Sequence, residues 1–164
     1  MFKKMFTRFS KVVAAGLVLS FMFLVPGAEA SHWGLSGGLQ THDPTIVRES
    51  GNTWWSASTG TGIGMKYSTN GGKTWTDGLP IFSQPLSWWK KYAPNMTTND
   101  VWAPDLEYYR GRYYCYYSVS EFGKNNSAIG LVSCSSISRG DWRDDGVVLY
   151  SRYGSSKFNA IDPN

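Results

Sequence analysis

The tetrapeptide Thr41-His42-Asp43-Pro44 has two later counterparts in the chain, Trp102-Ala103-Pro104-Asp105 and Ala160-Ile161-Asp162-Pro163. Each of these three segments joins a proline to an aspartate, and we call them the first, second and third anchors. Their prolines are 60 and 59 residues apart. Self-similarity at a fixed period is the mark of a repeat architecture. The anchors therefore predict a fold made of similar consecutive units.

The sequence between the anchors predicts an antiparallel meander of four short strands in each unit. A glycine seven residues after the anchor proline, Gly51 or Gly111, separates the first two strands, and a turn with Trp75 or Trp142 precedes the last. Four-stranded units in tandem are typical of β-propeller blades. A β-sandwich also has short strands and frequent turns, but repetition of both anchor and tryptophan turn favours the propeller. The predicted strands are 45–49, 53–57 and one at Ile63-Gly64, then 106–110, 112–119, one at Ile129-Gly130, and 147–150.

Two other stretches are predicted to be loops. Residues 31–40 contain glycine and serine and are expected to form a short leader. Residues 79–101 form a long connection that carries Trp88-Trp89, and such loops often build the rim of a binding cleft.

Residues 1–30 have the features of a secretory signal peptide: a basic start, the uncharged apolar run 12–25, and Ala28-Glu29-Ala30 as a cleavage site. A membrane anchor is the alternative, but this run is shorter than the roughly 20 apolar residues of a spanning helix. Residues 31–164 contain 12 Lys or Arg and 11 Asp or Glu. We therefore expect a secreted protein that binds neither nucleic acid nor, after cleavage, a membrane.

The two cysteines, Cys115 and Cys134, do not make a disulfide framework. An exported chain could oxidise them. Their positions in two different strand-like runs favour buried free thiols over a bridge.

The anchors also carry the candidate chemistry. The first strand of each propeller blade lines the central axis, so Asp43, Asp105 and Asp162 are expected to converge from three blades. Convergent carboxylates acquire different pKa values and different roles, and glycoside hydrolysis uses such groups as acid and as base or nucleophile. Aspartate beside proline is also ordinary turn chemistry, but three anchors in register favour a functional site.

The chain resembles glycoside hydrolase family 43, most closely its endo-α-1,5-L-arabinanases, from about residue 32 to residue 164. The motifs that carry the resemblance are His42-Asp43-Pro44, Pro85-Leu86-Ser87-Trp88-Trp89, Trp102-Ala103-Pro104-Asp105, the segments 117–123 and 126–131, and Asn159-Ala160-Ile161-Asp162-Pro163. The resemblance implies an all-β, five-bladed propeller, of which this chain covers about two blades and the start of a third. Residues 31–164 would then be the incomplete N-terminal part of the hydrolase domain.

The resemblance also implies an inverting mechanism with three acids. Asp43 would be the general base, Asp162 would orient the general acid and modulate its pKa, and the acid would be a glutamate on a later blade. Of the glutamates after residue 30, Glu49 and Glu107 are expected at solvated strand positions and Glu121 in a loop. None matches the acid, so we expect this chain alone to be inactive.

Trp102, Asp105, Phe122 and Asn159 are the expected substrate-binding residues, with the aromatic rings stacking on arabinofuranose. The resemblance implies arabinan, including pectin side chains of plant cell walls, as substrate, and a monomer when complete. No metal or cofactor site is expected in this chain, although family members often hold calcium at the hub with a histidine from a later blade. The alternatives are a xylan- or arabinoxylan-active family member, a non-catalytic arabino-oligosaccharide-binding protein, and an inactive truncated product.

Overall fold

The structure is a computed structural model, and it describes residues 34–164. The predicted signal peptide, residues 1–30, lies outside the described residues. In residues 34–164, no helix has the length and hydropathy needed to cross a membrane.

The described residues form ten strands and one short helix. The strands lie in two five-stranded sheets, with the orders β1-β6-β5-β3-β2 and β10-β9-β8-β7-β4. All neighbouring strands are antiparallel except β1 and β6, which are parallel. The elements are β1 (Ser36–Gly37), β2 (Thr45–Ser50), β3 (Thr53–Ser58), β4 (Gly60–Thr61), β5 (Gly64–Ser68), β6 (Thr74–Asp77), α1 (Trp89–Tyr92), β7 (Asp100–Tyr109), β8 (Arg112–Ser120), β9 (Ser127–Cys134) and β10 (Arg143–Ser151).

The two predicted meanders are confirmed: β2-β3-β5-β6 and β7-β8-β9-β10 each run antiparallel to their neighbours. Gly51 (φ 48°) and Gly111 (φ 84°) provide the left-handed backbone of the first hairpin in each sheet. The expected leader differs in that β1 adds a parallel strand beside β6. A second unpredicted strand, β4, leaves the first meander and pairs with β7, so it joins the two sheets. The total of five blades stays a prediction.

The second anchor occupies a different position from the first. Residues 41–44 precede β2, whereas Trp102 and Asp105 lie inside β7, because β7 begins at Asp100. The pairing of β7 with β8 shifts register between these two residues. The irregularity accommodates Pro104, which has no N–H to donate to a ladder.

Trp89 packs in the interior and Trp88 is half-buried against the same core. Neither lines the cleft described below, so the prediction that they form its rim is wrong. Trp89 is only 1% exposed. Its ring lies edge-on to Phe82 at 5.1 Å and donates from Nε1 to the Tyr117 hydroxyl at 3.3 Å. These aromatic rings gain more from leaving water together than they would at an exposed loop tip.

Gly130 makes room for this aromatic cluster. A Cβ atom at residue 130 would lie 2.5 Å from Cζ of Tyr117 and 2.9 Å from the Trp88 ring. Tyr117 is fully buried. The sequence marked Ile129-Gly130 as a strand, and the close packing of β9 against the cluster explains why glycine is suited there.

Both cysteines are buried free thiols, as expected. Cys115 faces Val132 across β8 and β9, and Cys134 faces Tyr113. Burial raises the pKa of the Cys115 thiol, and the nearby charge of Asp105 adds to that rise. Burial likewise raises the pKa of Cys134 to about 12.

Glu49 joins the two sheets, and it is half-buried, whereas the sequence predicted a solvated position. Its carboxylate accepts hydrogen bonds from Trp55 Nε1 and the Ser136 hydroxyl, both at 2.8 Å. The backbone N–H of Ser138 donates to it at 3.1 Å, and the Ser138 hydroxyl donates as well. Tyr113 donates to the Glu49 backbone oxygen at 3.1 Å. Glu107 is exposed, as predicted.

Candidate active site at the three anchors

The three anchors share an unusual backbone conformation. The residue before each anchor proline has positive φ: Asp43 at 48°, Ala103 at 39° and Asp162 at 54°. These are three of the five non-glycine residues with positive φ in residues 34–164. Such conformations cost on the order of 1–3 kcal/mol each and concentrate at functional sites. The shared conformation shows that the sequence repeat is also a structural repeat.

A single threonine links the first anchor to the second. The Thr59 hydroxyl donates to Asp43 Oδ2 at 2.7 Å and accepts from the backbone N–H of Ala103 at 2.8 Å. The Thr59 N–H donates to the carbonyl oxygen of His42 at 2.9 Å. Thr59 lies between β3 and β4, so the link forms where the chain passes from one sheet to the other.

Buried serines hold the third anchor against the second sheet. The backbone N–H of Asp162 donates to Ser118 Oγ at 2.9 Å, and Ser118 lies opposite Trp102 in the pairing of β8 with β7. Asn159 Oδ1 accepts from Ser127 at 2.6 Å. Through these contacts, all three anchors lie at the same end of the two sheets.

The Asp43 carboxylate is held through one of its two oxygens. Besides the Thr59 hydroxyl, His42 Nδ1 lies 2.9 Å from Oδ2. Within residues 34–164, no hydrogen bond is made to Asp43 Oδ1. The side chain is 44% exposed. The contacts therefore fix one carboxylate oxygen of Asp43 and leave the side chain partly in water.

Three of the four predicted substrate-binding residues surround one cleft. Two adjoining cavities of about 390 Å³ each share Trp102, Glu121, Phe122 and Lys124. The second cavity also includes Asn159. The Phe122 ring is 93% exposed, so it is free to stack on a ligand.

The predicted aspartates lie outside that cleft. Asp43, Asp105 and Asp162 line neither cavity. Asp105 is half-buried in β7 opposite Tyr116. The cleft therefore contains the aromatic and amide residues but none of the three anchor aspartates. Trp102 of the second anchor and Ile161 of the third anchor also line it. The roles of these aspartates stay predictions.

Sequence reasoning missed Glu121 and Tyr153. Glu121 was expected only to lie in a loop, but its carboxylate is 7% exposed and accepts from Asn95 and Asn126. Burial raises the pKa of this carboxyl, but the hydrogen bonds from the two asparagines and the charge of Lys124 outweigh burial and lower it. Tyr153 lines the cleft beside Asn159. No local pattern distinguishes either residue, because Asn95 lies 26 residues from Glu121 and Asn126 lies 27 residues from Tyr153.

The described residues do not form a metal site. Within residues 34–164, no three His, Cys, Asp or Glu side chains are arranged to hold an ion. The hub calcium that the resemblance implies for the complete enzyme stays an expectation.

Residues 38–164 match the family described as glycosyl hydrolases family 43. The chain is 47% identical over 169 residues to the extracellular endo-α-(1→5)-L-arabinanase 1 of Bacillus subtilis, covering 98% of this chain and 50% of that protein. It is 38% identical over 129 residues to the extracellular exo-α-(1→5)-L-arabinofuranosidase ArbA of Cellvibrio japonicus, covering 76% and 36%.

Solved structures show the same relationship. An endo-arabinanase from Bacillus licheniformis superposes with a TM-score of 0.73 at 51% identity, over 79% of this chain and 44% of that one. A Cellvibrio cellulosa α-L-arabinanase in complex with arabinohexaose gives a TM-score of 0.71 at 36% identity, over 76% and 40%. The chain thus spans about half the length, or less, of these relatives.

Proposed function

Because this chain belongs to glycosyl hydrolases family 43, we propose that it serves in the extracellular hydrolysis of α-1,5-L-arabinofuranosidic bonds in arabinan. The observation that carries the proposal is the union of the first two anchors by Thr59, which orients the Asp43 carboxylate at the end of the sheets. The names of the relatives from Bacillus and Cellvibrio support arabinan as substrate and an extracellular location.

In the proposed mechanism the anomeric carbon is inverted. Asp43 takes a proton from water while a general acid protonates the leaving oxygen from the other face of the sugar. Asp162 orients that acid and modulates its pKa. Glu49 and Glu121 are already engaged in hydrogen bonds, and Glu107 is exposed on a strand. We propose that the acid comes from a part of the enzyme that residues 34–164 do not include.

The test is Asp43→Asn in the protein expressed from its complete reading frame, with Asp77→Asn as the matched control. Asp77 is an exposed aspartate at the end of β6. Release of oligosaccharides from linear arabinan should fall about 10²–10⁴-fold for Asp43→Asn and stay unchanged for Asp77→Asn. Nuclear magnetic resonance of the first product anomer tests inversion. Undiminished turnover by Asp43→Asn would contradict the role of Asp43.

A non-catalytic arabino-oligosaccharide-binding protein is the second candidate function. The observation that favours it is the cleft, because Trp102, Phe122 and Asn159 line it. Calorimetric titration with arabinohexaose separates the two candidates. Tight binding without turnover of arabinan would establish the binding function. Turnover of xylan in preference to arabinan would instead point to the other substrate class.

A further inference from the structure

We propose that Glu121 is a positioning residue that ties two loops together around the cleft, and that it thereby sets Tyr153 as an additional aromatic contact for the sugar. This inference rests on the proposed function, because it concerns the same cleft. Glu121 acts through other residues and does not itself take part in the chemistry.

The Glu121 carboxylate connects the loop before β7 to the loop after β8. Oε1 accepts from the Asn95 backbone N–H at 2.8 Å and from Asn95 Nδ2 at 3.1 Å. Oε2 accepts from Asn95 Nδ2 and from Asn126 Nδ2, both at 3.1 Å. The Lys124 ammonium lies 3.9 Å from Oε2. One side chain therefore joins the loop that contains Asn95 to the loop that contains Asn126.

Because the Glu121 charge is buried, loss of the hydrogen bonds to its carboxylate would cost free energy. A carboxylate removed from water is costly unless hydrogen bonds and a counter-charge compensate it. Glu121 is only 7% exposed, so its loops must hold their positions to keep it compensated. A backbone hydrogen bond supports the same geometry, because the Glu121 N–H donates to the backbone carbonyl oxygen of Asn126 at 3.2 Å.

Asn126 links the Glu121 carboxylate to the backbone of Tyr153. While its Nδ2 donates to Glu121, its Oδ1 accepts from the backbone N–H of Tyr153 at 2.9 Å. The Tyr153 side chain is 67% exposed and lines the same cavity as Trp102, Phe122 and Asn159. An aromatic residue that faces a cavity but remains in water gains binding energy when a ligand covers it.

The arrangement is that of a preorganised binding site. Two exposed aromatic residues, Phe122 and Tyr153, line the cavity. The buried Glu121 carboxylate holds the loop that contains Phe122, and Asn126 of that loop holds the backbone of Tyr153. Holding a binding residue in place before the ligand arrives lowers the entropic cost of binding. We therefore expect removal of the Glu121 charge to weaken substrate binding more than it slows the chemical step.

The experiment compares Glu121→Gln with Glu107→Gln in the full chain expressed from its complete reading frame. Glu107 is an exposed glutamate of β7 and serves as the matched control. For Glu121→Gln, we expect about a tenfold rise in the arabinohexaose dissociation constant measured by calorimetry. KM for linear arabinan should rise by about the same factor while kcat changes less than about twofold. Amide hydrogen exchange should quicken in the loops at residues 94–98 and 121–126, and Glu107→Gln should match wild type in every measurement.

Tyr153→Ala tests the other end of the network and should fold, because its ring is largely exposed. We expect it to weaken arabinohexaose binding about tenfold while leaving hydrogen exchange at residues 94–98 unchanged. Wild-type affinity in either Glu121→Gln or Tyr153→Ala would overturn the inference while leaving the proposed function standing. If wild-type protein neither binds nor cleaves arabino-oligosaccharides, the proposed function fails and this inference fails with it.

Discussion

Replacement of Glu49 by alanine should measure how strongly one carboxylate holds the two sheets together. Glu49 lies on β2 of the first sheet, and its partners Ser136 and Ser138 lie 87 and 89 residues away, after β9 of the second sheet. Trp55, from β3, donates to the same carboxylate. Glu49→Ala removes the acceptor from all these donors at once.

The magnitude follows from the donors left without a partner. Hydrogen bonds to a charged group contribute about 1.5–3 kcal/mol each, and an unsatisfied buried donor costs about 1–3 kcal/mol. Because Glu49 is only half-buried, water can replace part of what is lost. We therefore expect Glu49→Ala to lower the free energy of unfolding by about 2–3 kcal/mol, or the melting temperature by roughly 5–10 °C.

Urea unfolding followed by tryptophan fluorescence gives the measurement, with a shifted midpoint and an unchanged m-value. Glu107→Ala is the control, because exposed substitutions usually stay within about 0.5 kcal/mol. A loss in Glu49→Ala no larger than in Glu107→Ala would refute the argument that Glu49 joins the sheets.

The same carboxylate should contribute to acid sensitivity. Partial burial raises the pKa of Glu49, but the hydrogen bonds from Ser138, Ser136 and Trp55 outweigh it and the pKa lies below its ordinary value. A lowered folded-state pKa stabilises the protein above the unfolded-state value of about 4.3 and loses that contribution as pH falls through the folded value. The stability difference between wild type and Glu49→Gln should therefore shrink with acidification below about pH 4.3.

Three further predictions concern other parts of the molecule. Gly130→Ala should destabilise the protein by about 1–3 kcal/mol, because its Cβ would lie 2.5 Å from the buried Tyr117 ring; an unchanged thermal melt would contradict this packing. Cys115 and Cys134 should resist thiol reagents in the native state, since burial raises the pKa of both thiols, and should react only on unfolding; rapid native labelling would disagree. Thr59→Val should reduce arabinan hydrolysis by roughly tenfold, because it breaks the link between the first two anchors, whereas Thr59→Ser should retain activity. Equal rates in the two variants would show that the Thr59 hydroxyl does not position Asp43.

The order of the strands could be predicted because it depends on local patterns. Glycine turns and the repeat of the anchors specify where each hairpin lies, and both meanders were expected. The bounds were less accurate, because β7 begins at Asp100 instead of Leu106, and Trp75, predicted in a turn, lies inside β6. The two short strands β1 and β4 were missed. Each has two residues, and each is stabilised only by a partner strand distant in sequence.

The candidate site likewise has features that local sequence predicts and features that depend on distant partners. The family, the anchors and the aromatic character of the cleft could be predicted, because short contiguous motifs specify them. The burial of Trp89 and Glu121, and the contact of Glu49 with the second sheet, depend on the packing of the whole fold. A glutamate in a strand or loop is solvated by default, and it becomes structural only when donors from distant segments compensate its charge. Those donors come together through the packing of the two sheets, which no local stretch of sequence specifies.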